Sequence, residues 1–411
     1  MRTIELPENV EYIIRSLYEA GYEAFAVGGC IRDTLLGRKP DDWDITTNAL
    51  PEEIKKIFRH TVDTGIAHGT VTVLIYPERD TAPDSYEVTT YRIDGDYSDG
   101  RHPDSVSFTK KLSEDLRRRD FTINAMAYNE EVGIVDLFGG QKDLLEGVIR
   151  CVGDPDERFD EDALRILRAV RFSAQLGFEI EKETARSIIR HAEKLGAVSK
   201  ERIYTEISKL ICSVHAEKIS EVFRLGLEDQ IAGGFRNVKA PEYGLQMPAV
   251  PLEERYLRFA LIMRGMERKD ARNILTDLKS DNFTRDNAAL LASECFTVLP
   301  KDRFGLKEYI SGMSRKQFED LLSLKILISG TREYREKCPE EDPREVLEMY
   351  RDITKRSEPV YMKDLVISGN DLIRAGVKPG PEVGRILSEM LSEVRRDPEH
   401  NSVLYLFSRF L

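Results

Sequence analysis

Cysteine is scarce in this chain of 411 residues. Its five thiols, Cys30, Cys151, Cys212, Cys295 and Cys338, lie far apart, with no C-x-x-C pair and no neighbouring histidine to complete a zinc site. A disulfide framework or structural metal is therefore not expected, and scattered thiols fit small buried hydrophobes in a reducing compartment. Long apolar runs are missing too: none approaches the roughly 18 residues a membrane-spanning helix needs. The opening MRTIELPENVEYIIRSL carries acids where a targeting segment would have a basic region and an apolar block. A soluble, untargeted, cytoplasmic protein with no membrane partner is expected. Low-complexity tracts and fixed-period repeats are absent, which disfavours disordered, fibrous and solenoid architectures.

Positive charge is also short, with 61 Lys and Arg against 73 Asp and Glu and a formal net charge of -12. Bulk charge does not hold such a protein on nucleic acid. A local basic groove still can, so the useful question is where the arginines cluster. Apolar residue is plentiful at 41%, enough for two to four domains at roughly 150 residues each.

Helical spacing of Val10, Ile13, Ile14 and Leu17 predicts a helix over Pro7 to Ala20. The run EAFAVGG reads as a buried strand ending in two glycines, and Cys30 to Leu36 as a short helix stopped by Gly37. Strands are expected around Trp43 to Ile45, Thr70 to Ile75 and Tyr86 to Tyr91, with a helix starting near Pro51. From about Glu146 helical periods dominate, with Pro-containing breaks at Lys239 to Pro251 and Cys338 to Pro343. The expectation is an α+β protein: a small α/β unit with a mixed or antiparallel sheet, followed by a long helical part.

Two features of the first part carry chemistry. Asp42-Trp43-Asp44 lies in the expected second strand, where alternation turns both carboxylates to one side and Trp43 to the other. Two hard oxygen ligands on one rigid face suit Mg2+, which keeps its remaining positions for water and substrate phosphate. A D-x-D of this kind also describes an edge strand with solvated acids. Gly28-Gly29, opening a helix with Arg32 in its first turn, adds a backbone able to approach a polyphosphate and a planar donor beside it. A phosphate cradle followed by a two-carboxylate clamp is what nucleotide transfer from a triphosphate requires. The lysine-containing P-loop pattern is absent.

The segment AVGGCIRDTLLGRKPDDWDITTNA resembles the first motif of class II tRNA nucleotidyltransferases, the CCA-adding enzymes, whose polymerase-β-like head is shared with bacterial poly(A) polymerases. The likeness continues through HGTVTV, YEVTTYR, RRDFTINAMAYN, DLFGGQKDLLEGVIRCVGDPDERFDEDALRILRAVRFSAQLGF and VSKERIYTEISKLI, and returns in LVISGNDLIRAGVKPGPEVGRIL near the end. It implies a nucleotidyltransferase head over residues 1–145, a helical neck over 146–215 that reads the base, a helical body over 216–335 and a helical tail over 336–411 that binds tRNA. It implies Asp42 and Asp44 as metal ligands, CTP and ATP as substrates, and tRNA gripped at its acceptor arm and T-arm by shape and phosphate.

By the same resemblance, Arg119 addresses phosphate while Asp120 and Asn124 address ribose; in isolation RRRD also reads as a basic helix start capped by Asp120. Asp162, Arg165, Arg168 and Arg171 recur at steps of three on an expected helix that keeps Leu164, Leu167 and Val170 for packing. Three such arginines also describe a solvated face. In the family, the E-D-x-x-R element resembles a protein template for the incoming base. Cytosine and adenine each show an amino donor beside a ring-nitrogen acceptor, complementary to an Asp acceptor and an Arg donor; uracil and guanine show the reverse and would leave buried groups unpaired.

Glu87 remains open between a third metal ligand and a sheet-face acid, and His68 and Trp43 read as structural. The loop GDYSDGRHPDSVS over Gly95 to Ser107 resembles the loop that CCA-adding enzymes carry between their first two motifs, which implies a mobile lever between C and A addition, and YPERDTAPDS over Tyr76 to Ser85, longer than the family's usual connection, reads as a hairpin insertion. A poly(A) polymerase is the nearest rival, but TGIAHGT stands where those enzymes carry G-[RK]-[RK]-F. CC-only or A-only addition stays open. A non-catalytic RNA-binding protein on a degenerate scaffold would have lost a carboxylate or the base-reading pair, and both are present.

Overall fold

The computed structural model describes residues 4–76, 82–95, 106–239 and 250–411. Most of the expected lever, half of the hairpin insertion and most of the break at 239–251 lie outside the described residues. The chain divides into two compact units, Met1–Arg236 with Tyr243–Leu252 and Asp277–Ser280, and Asn237–Glu242 with Glu253–Thr276 and Asp281–Leu411.

In the first unit, α1 (Glu8–Glu19) buries Val10, Ile13, Ile14 and Leu17, the stripe its spacing dictates. Strand β1 (Ala24–Val27) is buried at every position and ends at Gly28, whose φ of 86° places it in the left-handed region that glycine tolerates. Helix α2 (Gly29–Leu35) follows, then β2 (Ile45–Thr47), α3 (Pro51–Ile57), β3 (Thr61–Gly65), β4 (Thr70–Ile75) and β5 (Asp84–Thr90). A hairpin of β6 (Arg92–Asp94) and β7 (Val106–Phe108) leads to α4 (Leu112–Arg117), β8 (Met126–Asn129), β9 (Gly133–Asp136) and α5 (Gly140–Glu146). Seven strands form one sheet in the order β3-β4-β5-β2-β1-β8-β9. Only the β2–β5 pair is parallel, so the sheet is mixed, and β1 lies inside it where a four-residue apolar run belongs.

Helices then take over, joined by one two-strand parallel pair, β10 (Val148–Ile149) and β11 (Glu179–Ile180). They are α6 (Pro155–Glu161), α7 (Leu164–Leu176), α8 (Lys182–His191), α9 (Lys200–Ile211), α10 (Ser220–Arg224) and α11 (Glu228–Ile231). Helix α6 starts on Pro155 with Asp154 capping the amide of Asp156. Helix α7 departs from its expected amphipathic form: Arg165 and Arg171 are buried together with Leu164, Leu167 and Val170. A solvated arginine face therefore does not exist on this helix.

The second unit is helical from Arg255–Ile262 to Val403–Phe410. One cluster packs Leu306, Ile310, Phe318, Leu322 and Tyr350, and another packs Leu372, Ile386, Met390, Val394 and Leu406. Lys325 is fully buried, paired with Glu341 at 3.0 Å and donating to the carbonyls of Cys295 and Thr297. All five cysteines are buried and free, and burial pushes the Cys30 and Cys151 thiols up to about 12. No helix among the described residues is long and apolar enough to cross a membrane.

Candidate active site

The turn after β1 is stitched down, since the Gly28 amide donates to the Met126 carbonyl at 3.1 Å. A Cβ at Gly28 would stand 3.0 Å from Arg119 Nη1, so glycine is what lets the guanidinium lie against the turn. Arg119 is held from behind by Asp115, which also accepts from Arg118 at 2.7 Å and from the Thr46 hydroxyl at 3.2 Å. Burial opposes ionisation of Asp115, but Arg118 and Arg119 outweigh it and hold the carboxyl below its ordinary range. Arg119 Nε is buried with no hydrogen-bond acceptor in the protein. An unmet guanidinium N–H beside a glycine turn is suited to an anionic oxygen.

The strand expected around Trp43 to Ile45 starts later, at Ile45, so Asp42-Trp43-Asp44 leads into the strand rather than forming part of the ladder. The Asp44 carbonyl still accepts from the Val27 amide at 2.9 Å, which fixes the segment against β1. Parallel register of Ile45 with Val88 sets Asp44 beside Glu87. Asp42, Asp44 and Glu87 are exposed. The protein packed around the Asp44 carboxylate raises its pKa; Arg119 counters this, and the charges of Glu87 and Asp42 add to it. None of the three acids forms an ion pair among the described residues. Among the described residues no group of three or more His, Cys, Asp or Glu is placed to hold a metal ion, so Glu87 does not complete a three-ligand set with Asp42 and Asp44. Asp42 and Asp44, exposed and without an ion pair among those residues, suit a hard divalent cation that completes its sphere with water and phosphate.

Asp120 and Asn124 are buried and hydrogen-bonded within the protein. Asp120 Oδ2 accepts from Arg168 Nε at 2.9 Å and Nη2 at 2.6 Å, while Oδ1 accepts from the Phe121 amide and from Asn124 Nδ2. Four donors saturate the carboxylate. Burial opposes its charge, yet Arg168 and these hydrogen bonds hold it far below the usual range. Asn124 Oδ1 in turn accepts from Arg32 Nη1 at 2.7 Å, and Arg32 forks onto Asp33. Arg32, Arg168 and Arg171 converge on the Phe172 ring, at 5.1, 5.4 and 3.9 Å from its centroid. Arg171 is itself paired with buried Glu206 at 2.5 Å.

The expected single helix through Asp162, Arg165, Arg168 and Arg171 is broken, because Asp162 is the extended residue after α6 and α7 starts at Leu164. Asp162 does not pair with Arg165. Its Oδ1 accepts from the Leu164 amide at 3.0 Å and its Oδ2 from Arg202 at 2.8 Å. Arg165 instead pairs with Glu161 and donates to the carbonyls of Arg158 and Arg118. Asp115, Phe172, Arg202 and Glu206 are residues that sequence reasoning missed. Asp115 had a signal, lying three and four residues before Arg118 and Arg119 on one helical turn. Arg202 and Glu206, four apart on α9, become legible only through their long-range partners.

Models for the poly A polymerase head domain, for a probable RNA- and SrmB-binding site of polymerase A, and for a putative tRNA nucleotidyltransferase domain 2 match residues 24–150, 177–232 and 251–401. A CCA-adding enzyme of Leuconostoc mesenteroides is 36% identical over 95% of this chain and 93% of its own length. The chain belongs to the CCA-adding enzyme family. Another CCA-adding enzyme, from Geobacillus kaustophilus, is 38% identical over 94% and 93% of the two chains. The crystal structure of the Bacillus stearothermophilus CCA-adding enzyme in complex with CTP aligns with a TM-score of 0.78 and 30% identity over 98% of both chains. A Thermotoga maritima CCA-adding enzyme solved with tRNA shares the fold at a TM-score of 0.62 and 21% identity, over 96% and 93% of the chains. The polymerase-β-like head and helical remainder are thus the family's architecture, and this CCA-adding family member also carries a cavity of about 610 Å³ beside Asp42 and Arg32 in its first unit.

Proposed function

We propose that the chain extends the 3′ end of tRNA with C, C and A, taking CTP and ATP and releasing pyrophosphate. The observation that carries this reading is the placement of Asp42, Asp44 and Glu87 next to the Gly28–Arg119 cradle, in a chain whose near-full-length relatives are named CCA-adding enzymes. The terminal ribose hydroxyl of tRNA attacks the α-phosphorus, and the bond from that phosphorus to the bridging oxygen of the β-phosphate breaks. Asp42 and Asp44 would hold Mg2+, which when bound eases deprotonation of the attacking hydroxyl and neutralises charge on the leaving oxygens. Arg119 receives triphosphate oxygens through its unmet Nε–H, and Asp115 keeps it aimed.

Base choice belongs to Asp162 and Arg165. Each oxygen of Asp162 has a single protein donor, so each retains an acceptor site for an amino group. Arg165 retains its Nε–H and one Nη2–H beyond its three bonds, enough to donate to a ring nitrogen. Arg202 and the Arg158–Glu161 pair hold these two groups in place. Asp120 orients Arg168, and Asn124 orients Arg32, so both act on the nucleotide through an arginine.

The test is incubation with tRNA lacking its 3′ terminus and each labelled NTP in turn, followed by sequencing of the products. Stepwise C, C, A supports the reading. An A-only tail points to a poly(A) polymerase or A-adding enzyme, and arrest after two C residues to a CC-adding one.

A further inference from the structure

We propose that Phe172 is a positioning residue for nucleotide binding: its ring sets the spacing of Arg32 and Arg168, the two arginines that act on the nucleotide, by cation–π attraction to both and to Arg171. This rests on the reading that the site binds CTP and ATP, and it gives a part in that binding to a side chain with no polar atom.

The ring itself is fixed. Phe172 lies on α7, 5% exposed, and meets Phe121 edge to face at a centroid distance of 5.8 Å and an interplanar angle of 81°. Phe121 is fully buried, and its amide donates to the Asp120 carboxylate that also accepts from Arg168. The guanidinium carbons of Arg171, Arg32 and Arg168 stand 3.9, 5.1 and 5.4 Å from the Phe172 centroid. All three fall inside the roughly 6 Å reach of a cation–π contact. Arg32 and Arg171 are both buried, and exclusion of water strengthens the attraction.

The carboxylates do not fix this spacing. Each arginine has its own acid, on a different element: Arg32 pairs with Asp33 of α2, Arg168 with Asp120 after α4, and Arg171 with Glu206 of α9. Among the described residues none of these acids bonds to a second of the three arginines, so each balances one charge and holds one guanidinium. The cations meanwhile repel one another. Burial lowers the Arg171 pKa, Glu206 opposes this, and the charge of Arg168 lowers it further. The negative face of the Phe172 ring is a contact that all three share, and it ties Arg32 of α2 to Arg168 and Arg171 of α7. A leucine would fill much of the space and offer no such face.

The experiment replaces Phe172 by mono-, di- and trifluorophenylalanine, which withdraw electron density from the ring face while nearly keeping its shape, and separately tests Phe172→Leu. The readout is Kd for CTP and for ATP by equilibrium dialysis without RNA. Trifluorophenylalanine at Phe318, whose ring packs on Tyr309 and Tyr350 in the second unit, is the control for fluorination as such. Kd should rise stepwise with fluorine number at Phe172, by roughly threefold to tenfold at three fluorines, and stay at the wild-type value in the control. CTP and ATP should weaken by the same factor, because the base edge is read at Asp162 and Arg165. Phe172→Leu should weaken both at least as much; if it does not fold, the fluorinated series decides. Affinity unchanged along the series, a loss that does not follow fluorine number, or an equal loss in the control would overturn the proposal. Wild type that binds CTP and ATP but transfers neither to RNA is a separate result, which would overturn the proposed function and leave the binding series readable.

Discussion

At Asp120 four hydrogen bonds converge on one buried carboxylate, and with Arg168 it ties the segment after α4 to α7. Removing it leaves the half-buried Arg168 guanidinium without its counter-charge, so Asp120→Ala should lower stability by about 1.5–3 kcal/mol in urea unfolding at neutral pH. The pH dependence follows from the depressed pKa. A carboxylate held below its unfolded value, near 3.9, contributes fully above that value, and the contribution is lost as pH falls toward the folded one. The stability gap between wild type and Asp120→Ala should therefore be constant from pH 7 to about 5 and shrink below pH 4. A gap that grew on acidification would contradict the assignment. Asp162 is a different case, since its two protein bonds leave acceptor capacity. Asp162→Ala should slow correct addition and also remove the carboxylate that repels the carbonyls of U and G. Loss of a discriminating edge contact worth roughly 1–3 kcal/mol predicts a fall of about tenfold to a hundredfold in selectivity, read as kcat/KM for each NTP. Unaltered ratios among the four nucleotides would place base choice elsewhere.

Helix α5 shows how an element carries the site without touching substrate. A Cβ on Gly140 would meet the Thr122 carbonyl oxygen at 2.3 Å and Met126 Cγ at 2.9 Å, and Asp143 of the same helix accepts from the Thr122 hydroxyl at 2.6 Å. Gly140→Ala must push α5 off the turn that leads to Asn124, at a cost of about 1–3 kcal/mol. A lowered melting temperature together with reduced turnover is expected, and a variant indistinguishable from wild type in both would show that the turn tolerates displacement. The same scale shows what a single sequence reveals. Helix α1 and strands β1, β4 and β5 were legible because burial writes a period of 3.6 or 2, or a short apolar run, into their residues. Strand β3, TVDTG, was not, since it is an exposed edge strand with polar side chains and no alternation to read. The residue types of the site were legible as motifs. Their pairings were not: Arg168 meets Asp120 from 48 positions away and Arg171 meets Glu206 from 35, and those distant acids turn an apparent solvated stripe on α7 into a buried one.

Across the whole molecule a net charge of -12 must coexist with binding of a polyanion. RNA affinity should therefore depend on local contacts and fall steeply with salt, with a log–log slope of magnitude about 3 or more. A flat dependence in filter-binding or fluorescence titrations would mean that phosphate contacts do not hold the RNA. The central claim, that the acids beside β2 and the Gly28–Arg119 cradle transfer nucleotides to tRNA, is tested most directly by sequencing the 3′ ends made from truncated tRNA with all four NTPs present. Wild type should give ends that stop at CCA with no U or G, and Asp44→Ala, with its fold intact, should give none, because removing one side of a metal clamp forfeits several kcal/mol of transition-state stabilisation. Unextended tRNA from the wild type, or CCA ends made at the wild-type rate by Asp44→Ala, would contradict it.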